Sequence, residues 1–275
     1  SSPPANLYKL EPATVEEIEM LFSLSPDKQC DLDPLPTFLL KRCSRALSTT
    51  ITNIINLSLS TGTFPDSFKH SVLTPLLKKP SLDKEVLSNY RPISNLSLLS
   101  KLTEKVVKSR LVGHLSAHSM LNPHQSAYIK SHSTETVLLS LHDHLIKRIS
   151  QQELTGICLL DLSAAFDTID HSTLLHRLKT WFGFDGKTLS WLSLYLSSRS
   201  FAVSAHGSLS PTFSSSHGVP QGSVSSPLLL LNTTSMLTTL NFTYPSNLTS
   251  LLMPPHHFSR PSLQSPAGWL QTSLL

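Results

Sequence analysis

All 18 acidic residues of this 275-residue chain lie at or before Asp185. The ninety residues from Gly186 to Leu275 contain no carboxylate, and their Lys and Arg complement is Lys187, Arg199 and Arg260. Apolar periodicity fades in the same stretch. Beyond Leu231 the chain is Ser, Thr, Pro and Leu in no sustained period, interrupted by Pro254, Pro255 and Pro266. A packed core has to be built from the residues before that point. Any chemistry that needs a C-terminal carboxylate is excluded. Residues 231–275 are expected to form a disordered tail, degenerate or frame-shifted, although they lack the charge of an ordinary disordered segment.

Charge elsewhere is modest. Charged residues make up 15% of the chain and the net charge is +4, whereas a typical globular domain is about a quarter charged. Neither an acidic tail nor a dense basic arm is present. Cys30, Cys43 and Cys158 are too few and too dispersed for a disulfide scaffold or zinc ribbon, which fits a reduced, intracellular protein of nucleus or cytoplasm. The N-terminal residues have no signal-peptide pattern, and no apolar run is long enough to cross a membrane. Thirteen histidines make accidental triads possible, but no GxSxG or HExxH string accompanies them, which argues against a hydrolase.

Residues 1–13 read as a loose leader. Thr14, Val15, Glu16 and Glu17 form a capping-box pattern that opens a helix carrying Ile18, Leu21 and Phe22 and stopping before Pro26. A second helix is expected from residues 34–36, with Asp33 as its cap and Phe38, Leu39 and Leu40 along it, and a third through Ile51, Ile54, Ile55 and Leu59 to Gly62. Residues 71–77 read as a strand, 96–115 as an amphipathic helix with charges between its apolar positions, and 134–150 as another helix, capped by Ser133 or Thr134. The apolar run 156–161 reads as a buried strand. Helices are expected at 171–182 and 187–198, a hairpin at 199–214 turning near Gly207, and a helix from Pro227.

Four strings can carry chemistry, and each has a plain structural alternative. Asp161 ends the apolar run, where a carboxylate can meet a hard cation or simply cap a turn. Asp167 and Asp170, three apart, can share a helix face or be solvated helix-start carboxylates. Gly218-Val219-Pro220-Gln221-Gly222-Ser223 combines two glycines, a rigid proline and a donor–acceptor amide, and suits either a close ligand approach or a tight loop. Lys78, Lys79 and Arg91 have the chemistry of phosphate ligands or of solvated surface cations. Residues 125–136 form a polar loop running into a helix, in which Lys130 can join that cationic set.

The order of these strings is specific. YRPIS, then QSAYIK with HSTET, then LLDLSAAFDTIDH, then HGVPQGSV, resembles the reverse transcriptase of non-LTR, LINE-type retrotransposons over residues 14–230. The resemblance implies an α+β right-hand polymerase with fingers and palm. The corresponding divisions are 1–70, an N-terminal helical extension; 71–230, fingers and partial palm; and 231–275, the tail. It implies an RNA template, a DNA primer and dNTP as partners, no membrane, and Mg²⁺ (or Mn²⁺) as cofactor. It assigns Asp161 as the first catalytic, metal-binding carboxylate, with the carbonyl of Leu162 helping. Phe166 would be the ring that rejects a ribose 2′-OH. Pro220, Gln221 and Gly222 would lie beside nucleotide and template, and Lys78, Lys79, Arg91 and Lys130 would meet phosphates. An isoleucine, Ile129, stands where many relatives have an arginine.

The family's YADD motif, which completes the metal site, has no counterpart after Asp185, and GSVSSPLLL carries Ser226 where relatives have glycine. Two-metal phosphoryl transfer needs carboxylates enough to clamp two divalent ions. The palm is therefore expected to be incomplete and the chain a polymerase-family domain without turnover. A non-catalytic nucleic-acid-binding remnant, and a chain that never folds stably, are the rival expectations. A loss of apolar periodicity near residue 231, in a stretch already without carboxylates, is also what a shifted reading frame produces.

Overall fold

The computed structural model describes residues 5–27, 30–33, 35–121, 125–127, 129, 131–151, 166–205 and 207–233. They fall into two units. The first comprises the described residues up to Val137 and those from Phe166 to Thr233; the second begins at Leu138. The architecture is mixed α/β, with one sheet and eight α-helices among the described residues.

Helix α1 (Val15–Ser23) starts where Thr14 Oγ1 accepts from Glu17 N–H, and it buries Ile18 and Phe22. The spacing of these two residues faces both into the core. Helix α2 (Thr37–Arg42) follows Pro36 and buries only Thr37 and Leu40. Asp33 does not cap it: its Oδ1 accepts from Leu98 N–H at 2.8 Å, the first residue of a helix 65 positions away. Helix α3 (Ser44–Thr61) buries Ile51, Ile55 and Leu59 and ends at Gly62 in the left-handed conformation. Helix α4 (Leu98–Ala117) is capped by Ser97, and its Leu102, Val106 and Leu111 are fully buried.

The sheet joins two distant parts of the sequence. Strands β1 (His70–Leu77) and β2 (Tyr90–Asn95) form an antiparallel hairpin. Lys78 N–H donates to Asn89 O, so the alternation of antiparallel pairs makes Pro75 opposite Pro92 a non-bonded pair, and neither missing N–H interrupts the hairpin. β1 also pairs in parallel with β3 (Arg199–Ala205), over His70–Leu73. β4 (Ser208–Leu209) and β5 (Phe213–Ser215) both add antiparallel to β3. The expected hairpin near Gly207 is β3–β4; the second return, β5, was not legible in the alternation of residues 199–214.

Helices α6 (His171–Phe182) and α7 (Gly186–Leu196) close the core. Trp191 and Tyr195 stack at 5.5 Å, with Phe64 edge-on to both at 5.2 Å, and the Trp191 indole N–H donates to Ser58 Oγ on α3. Residues 5–13 are not a loose leader. Leu7 N–H donates to Gly183 O, Asp185 N–H donates back to Leu7 O, and Leu10 and Ala13 are buried in the same core as α1, α3, α4, α6 and α7. Helix α8 (Ser226–Thr233) is the last described element. Helix α5 (Thr134–Ser150) begins in the first unit and forms most of the described second one. Ser133 caps it, its Oγ accepting from Thr136 N–H, and a Lys147–Asp143 pair at 2.6 Å braces its exposed surface. None of the helices among the described residues is long and apolar enough to cross a membrane.

Candidate functional site

The loop Gly218–Gly222 leaves β5 and runs to α8, and backbone contacts fix both of its ends. At the start, Gly218 N–H donates to Ile169 O at 2.8 Å and Val219 N–H to Phe166 O at 2.7 Å. His171 Nε2–H donates to Gly218 O at 2.6 Å. Gly218 has φ +76°, and a Cβ there would lie 2.7 Å from the Phe166 carbonyl oxygen. At the other end, Ser94 N–H donates to Gln221 O at 2.7 Å. Gly222, at φ +113°, would place a Cβ 2.9 Å from Ser94 O. Both glycines are therefore required by conformation and by contact. The loop spans from the segment carrying Phe166 to strand β2.

A cleft of about 230 Å³ opens beside the loop, lined by Leu73, Pro92, Ser94, Asp167, Pro220 and Gln221 among others. The strand alternation of β2 puts Pro92 and Ser94 on the cleft side and Arg91 on the other. Burial against the cleft wall raises the Asp167 carboxyl above the ordinary carboxylate range. Asp170, by contrast, is the N-cap of α6, its Oδ1 accepting from Ser172 Oγ–H and Thr173 N–H. The two carboxylates do not share a helix face, because Asp167 precedes the helix.

Of the residues assigned by resemblance, Pro220 and Gln221 line the cleft, Gly222 abuts β2, and the Phe166 carbonyl is bonded to the loop. Lys78, Lys79 and Arg91 lie on the β1–β2 hairpin and its turn, exposed, and are not among the cleft-lining residues. Lys78 closes that hairpin: its N–H donates to Asn89 O and its Nζ to Ser88 O at 2.8 Å. Asp161, Leu162 and Lys130 lie outside the described residues. So does the run 156–161 that was read as a strand.

A buried polar network behind the loop had no sequence signal. Glu104, on α4, was read as one of the charges between apolar positions, yet it is 0% exposed. Its Oε2 accepts from Val224 N–H at 2.8 Å and Ser225 N–H at 3.1 Å, and Ser100 Oγ–H reaches Oε1. Burial raises its carboxyl above the usual range, and Arg199 opposes that shift. The Arg199 guanidinium donates to Tyr195 O and lies 4.8 Å from the Tyr195 ring centroid. Tyr195 O–H donates to Ser223 Oγ, which also accepts from Ser226 N–H and bonds with Ser226 Oγ. Burial drives the Tyr195 hydroxyl well above the ordinary phenol range, so it stays a donor.

Comparison with known proteins places this loop in a family. A family model described as reverse transcriptase (RNA-dependent DNA polymerase) matches residues 77–241, more than half of the chain. The chain is 32% identical over 221 residues to the Drosophila melanogaster "Probable RNA-directed DNA polymerase from transposon BS", covering 80% of this chain and 24% of that protein. It is 29% identical over 224 residues to the corresponding protein of transposon X-element from the same organism, with the same coverage of each. With the "RNA-directed DNA polymerase from mobile element jockey" of Drosophila funebris it shares 28% identity over 222 residues, again 80% of this chain and 24% of the relative. The chain thus spans about a quarter of the length of these curated relatives. With a cleft-lining Pro-Gln pair between two obligatory glycines, and a family match running from the end of β1 past α8, the chain belongs to the reverse transcriptase family, on its LINE-type, non-LTR branch.

Proposed function

We propose that this chain is the fingers and partial palm of a LINE-type RNA-directed DNA polymerase, built to hold an RNA template, a DNA primer and a dNTP, and without polymerase turnover of its own. The observation that supports the binding half is the Gly218–Gly222 loop. It is seated on fingers strand β2 at one end and on the Phe166 segment at the other, with Pro220 and Gln221 turned to the cleft between them. Gln221 supplies a donor and an acceptor to a base or sugar. The carbonyl of Phe166, held by Val219 N–H, fixes the backbone from which the 2′-OH-excluding ring projects.

The family's divalent-ion chemistry is a different matter. Two ions supply activation of the primer 3′-OH and stabilisation of the leaving pyrophosphate. The donor set here does not fit them: Asp161 is the one carboxylate that matches the family's metal motifs, and no acidic residue follows Asp185. Asp167 lines the cleft, but it does not stand at one of the family's metal-motif positions. The loss of apolar periodicity after Leu231 supports a frame shift after about codon 230, which the encoding DNA decides by the presence or absence of YADD in another frame.

Primer extension on an RNA template with Mg²⁺ or Mn²⁺ tests the proposal. The expected product is indistinguishable from that of Asp161→Ala. Robust synthesis that disappears in Asp161→Ala overturns it. Failure of the chain to bind an RNA–DNA primer–template at low salt would overturn the binding half.

A further inference from the structure

We propose that Glu104 is the positioning residue of the Gly218–Gly222 loop: its buried carboxylate clamps the two peptide N–H groups that follow the loop and so holds Pro220 and Gln221 at the cleft. The geometry of the clamp stands on its own; its consequence for template and nucleotide rests on the function proposed above.

A carboxylate with no solvent exposure is costly unless its oxygens are bonded and its charge is countered. Both conditions are met at Glu104. Oε2 takes Val224 and Ser225 N–H at 2.8 and 3.1 Å, and Ser100 Oγ lies at 3.4 Å from Oε1. Arg199 supplies the opposing charge from the start of β3, itself only 5% exposed. The N–H groups concerned stand at the entry to α8, where a negative charge is also favoured by the helix dipole. The clamp therefore joins α4 to the end of the loop, with the Arg199 charge at the start of β3 favouring the ionised carboxylate.

The loop has few other anchors on this side. Tyr195 O–H reaches Ser223, and Ser223 in turn caps Ser226 N–H. That chain fixes Ser223 to α7, whereas Val224 and Ser225 are fixed by Glu104 on α4. Helices α4 and α7 thus grip successive residues, with Gly222 pressed against Ser94 O immediately before them. Releasing the Glu104 grip frees the C-terminal end of the loop while leaving the packing of Trp191, Tyr195 and Phe64 in place.

Two variants separate positioning from bulk stability, both in an Arg199→Met background, so that no charge is left unpaired and the Arg199 contacts with Tyr195 and Phe64 are lost equally from each. In Glu104→Gln the side-chain amide oxygen accepts the same two N–H groups. In Glu104→Met core volume is kept and the acceptor is gone. Hydrogen exchange read by mass spectrometry on peptides covering residues 218–226 is compared with that of α3. The Glu104→Met variant is expected to exchange at Val224 and Ser225 at least about tenfold faster than the parent with α3 protection retained, and Glu104→Gln is expected to restore the parent rate. Equal loop protection in the two variants overturns the proposal, as does a loss in Glu104→Met that is uniform across the loop and α3. Affinity for a hairpin RNA-template/DNA-primer duplex is read on the same proteins, with a drop of several-fold expected in Glu104→Met and none in Glu104→Gln. If the parent chain itself fails to bind that duplex, the functional reading falls, and the exchange comparison still decides the clamp.

Discussion

Gly222, like Gly218 at the other end of the loop, meets two independent requirements at once. Its φ of +113° is costly for any side chain, and a Cβ would meet Ser94 O at 2.9 Å. Gly207, in the β3–β4 turn, also has positive φ (+76°) but has nothing within 4 Å of a built Cβ. The pair separates conformational strain from collision. Gly207→Ala is expected to cost about 1–2 kcal/mol, the ordinary penalty of the left-handed region. Gly222→Ala should exceed it, because the collision is with strand backbone, and should also break the Ser94 N–H bond to Gln221 O. Urea unfolding of the two variants measures the difference, and equal costs would show that the loop yields freely away from β2. At this scale, the loop's glycines were legible as a string, since only glycine answers such a need. Glu104 was not legible: a charge among apolar helix positions looks the same in sequence whether its partner is water or a loop 120 residues away.

Among elements, the local signals were read well and the long-range ones were not. The capping residue Thr14 and the terminator Gly62 act within a turn of their own helix, and both appear where the sequence put them. Asp33 looked like the cap of the adjacent helix and is bonded instead to the first N–H of α4, because side-chain caps can come from anywhere in space. β2 was missed as a strand because Pro92 disfavours one; it is tolerated on this edge strand opposite Pro75. Asp170 is a local cap that also titrates. The hydroxyl of Ser172 and the side chain and N–H of Thr173 hold its carboxyl far below the ordinary range. A lowered folded pKa means that the ionised cap contributes stability above the unfolded value, about pH 4, and loses it progressively as pH falls further. Asp170→Asn keeps a capping oxygen without the titration. Thermal unfolding should show the parent above the Asn variant at pH 7, with the gap closing below pH 4. A gap that is constant across that range would mean that the carboxylate's charge contributes nothing to α6.

For the molecule as a whole, the distribution of charge sets what it can hold and how firmly. Three of the four net positive charges fall after Asp185, and one of their carriers, Arg199, is buried against Tyr195 and Phe64. The remaining field is close to neutral, so long-range attraction for nucleic acid is weak and affinity has to come from local groups. The β1–β2 hairpin concentrates them: Lys78, Lys79 and Arg91 are exposed there, and in the intervening turn Lys84 offsets one of the two carboxylates Asp83 and Glu85. Each cation that meets a phosphate contributes roughly 0.7–0.9 to the slope of log affinity against log salt. Replacing all three by alanine should therefore flatten that slope by about 2, or somewhat more, for an RNA-template/DNA-primer duplex. Anisotropy titrations between low and physiological salt give both slopes. The sequence placed these cations in one segment without showing that the strand alternation sends Arg91 away from the cleft side occupied by Pro92 and Ser94. Under the proposed function the three cations, unlike the cleft-facing side of the same hairpin, are phosphate-backbone contacts, so the triple variant should weaken binding equally for different template sequences. An unchanged slope, or a loss confined to particular template bases, would move the contact from the hairpin to the Pro220–Gln221 wall.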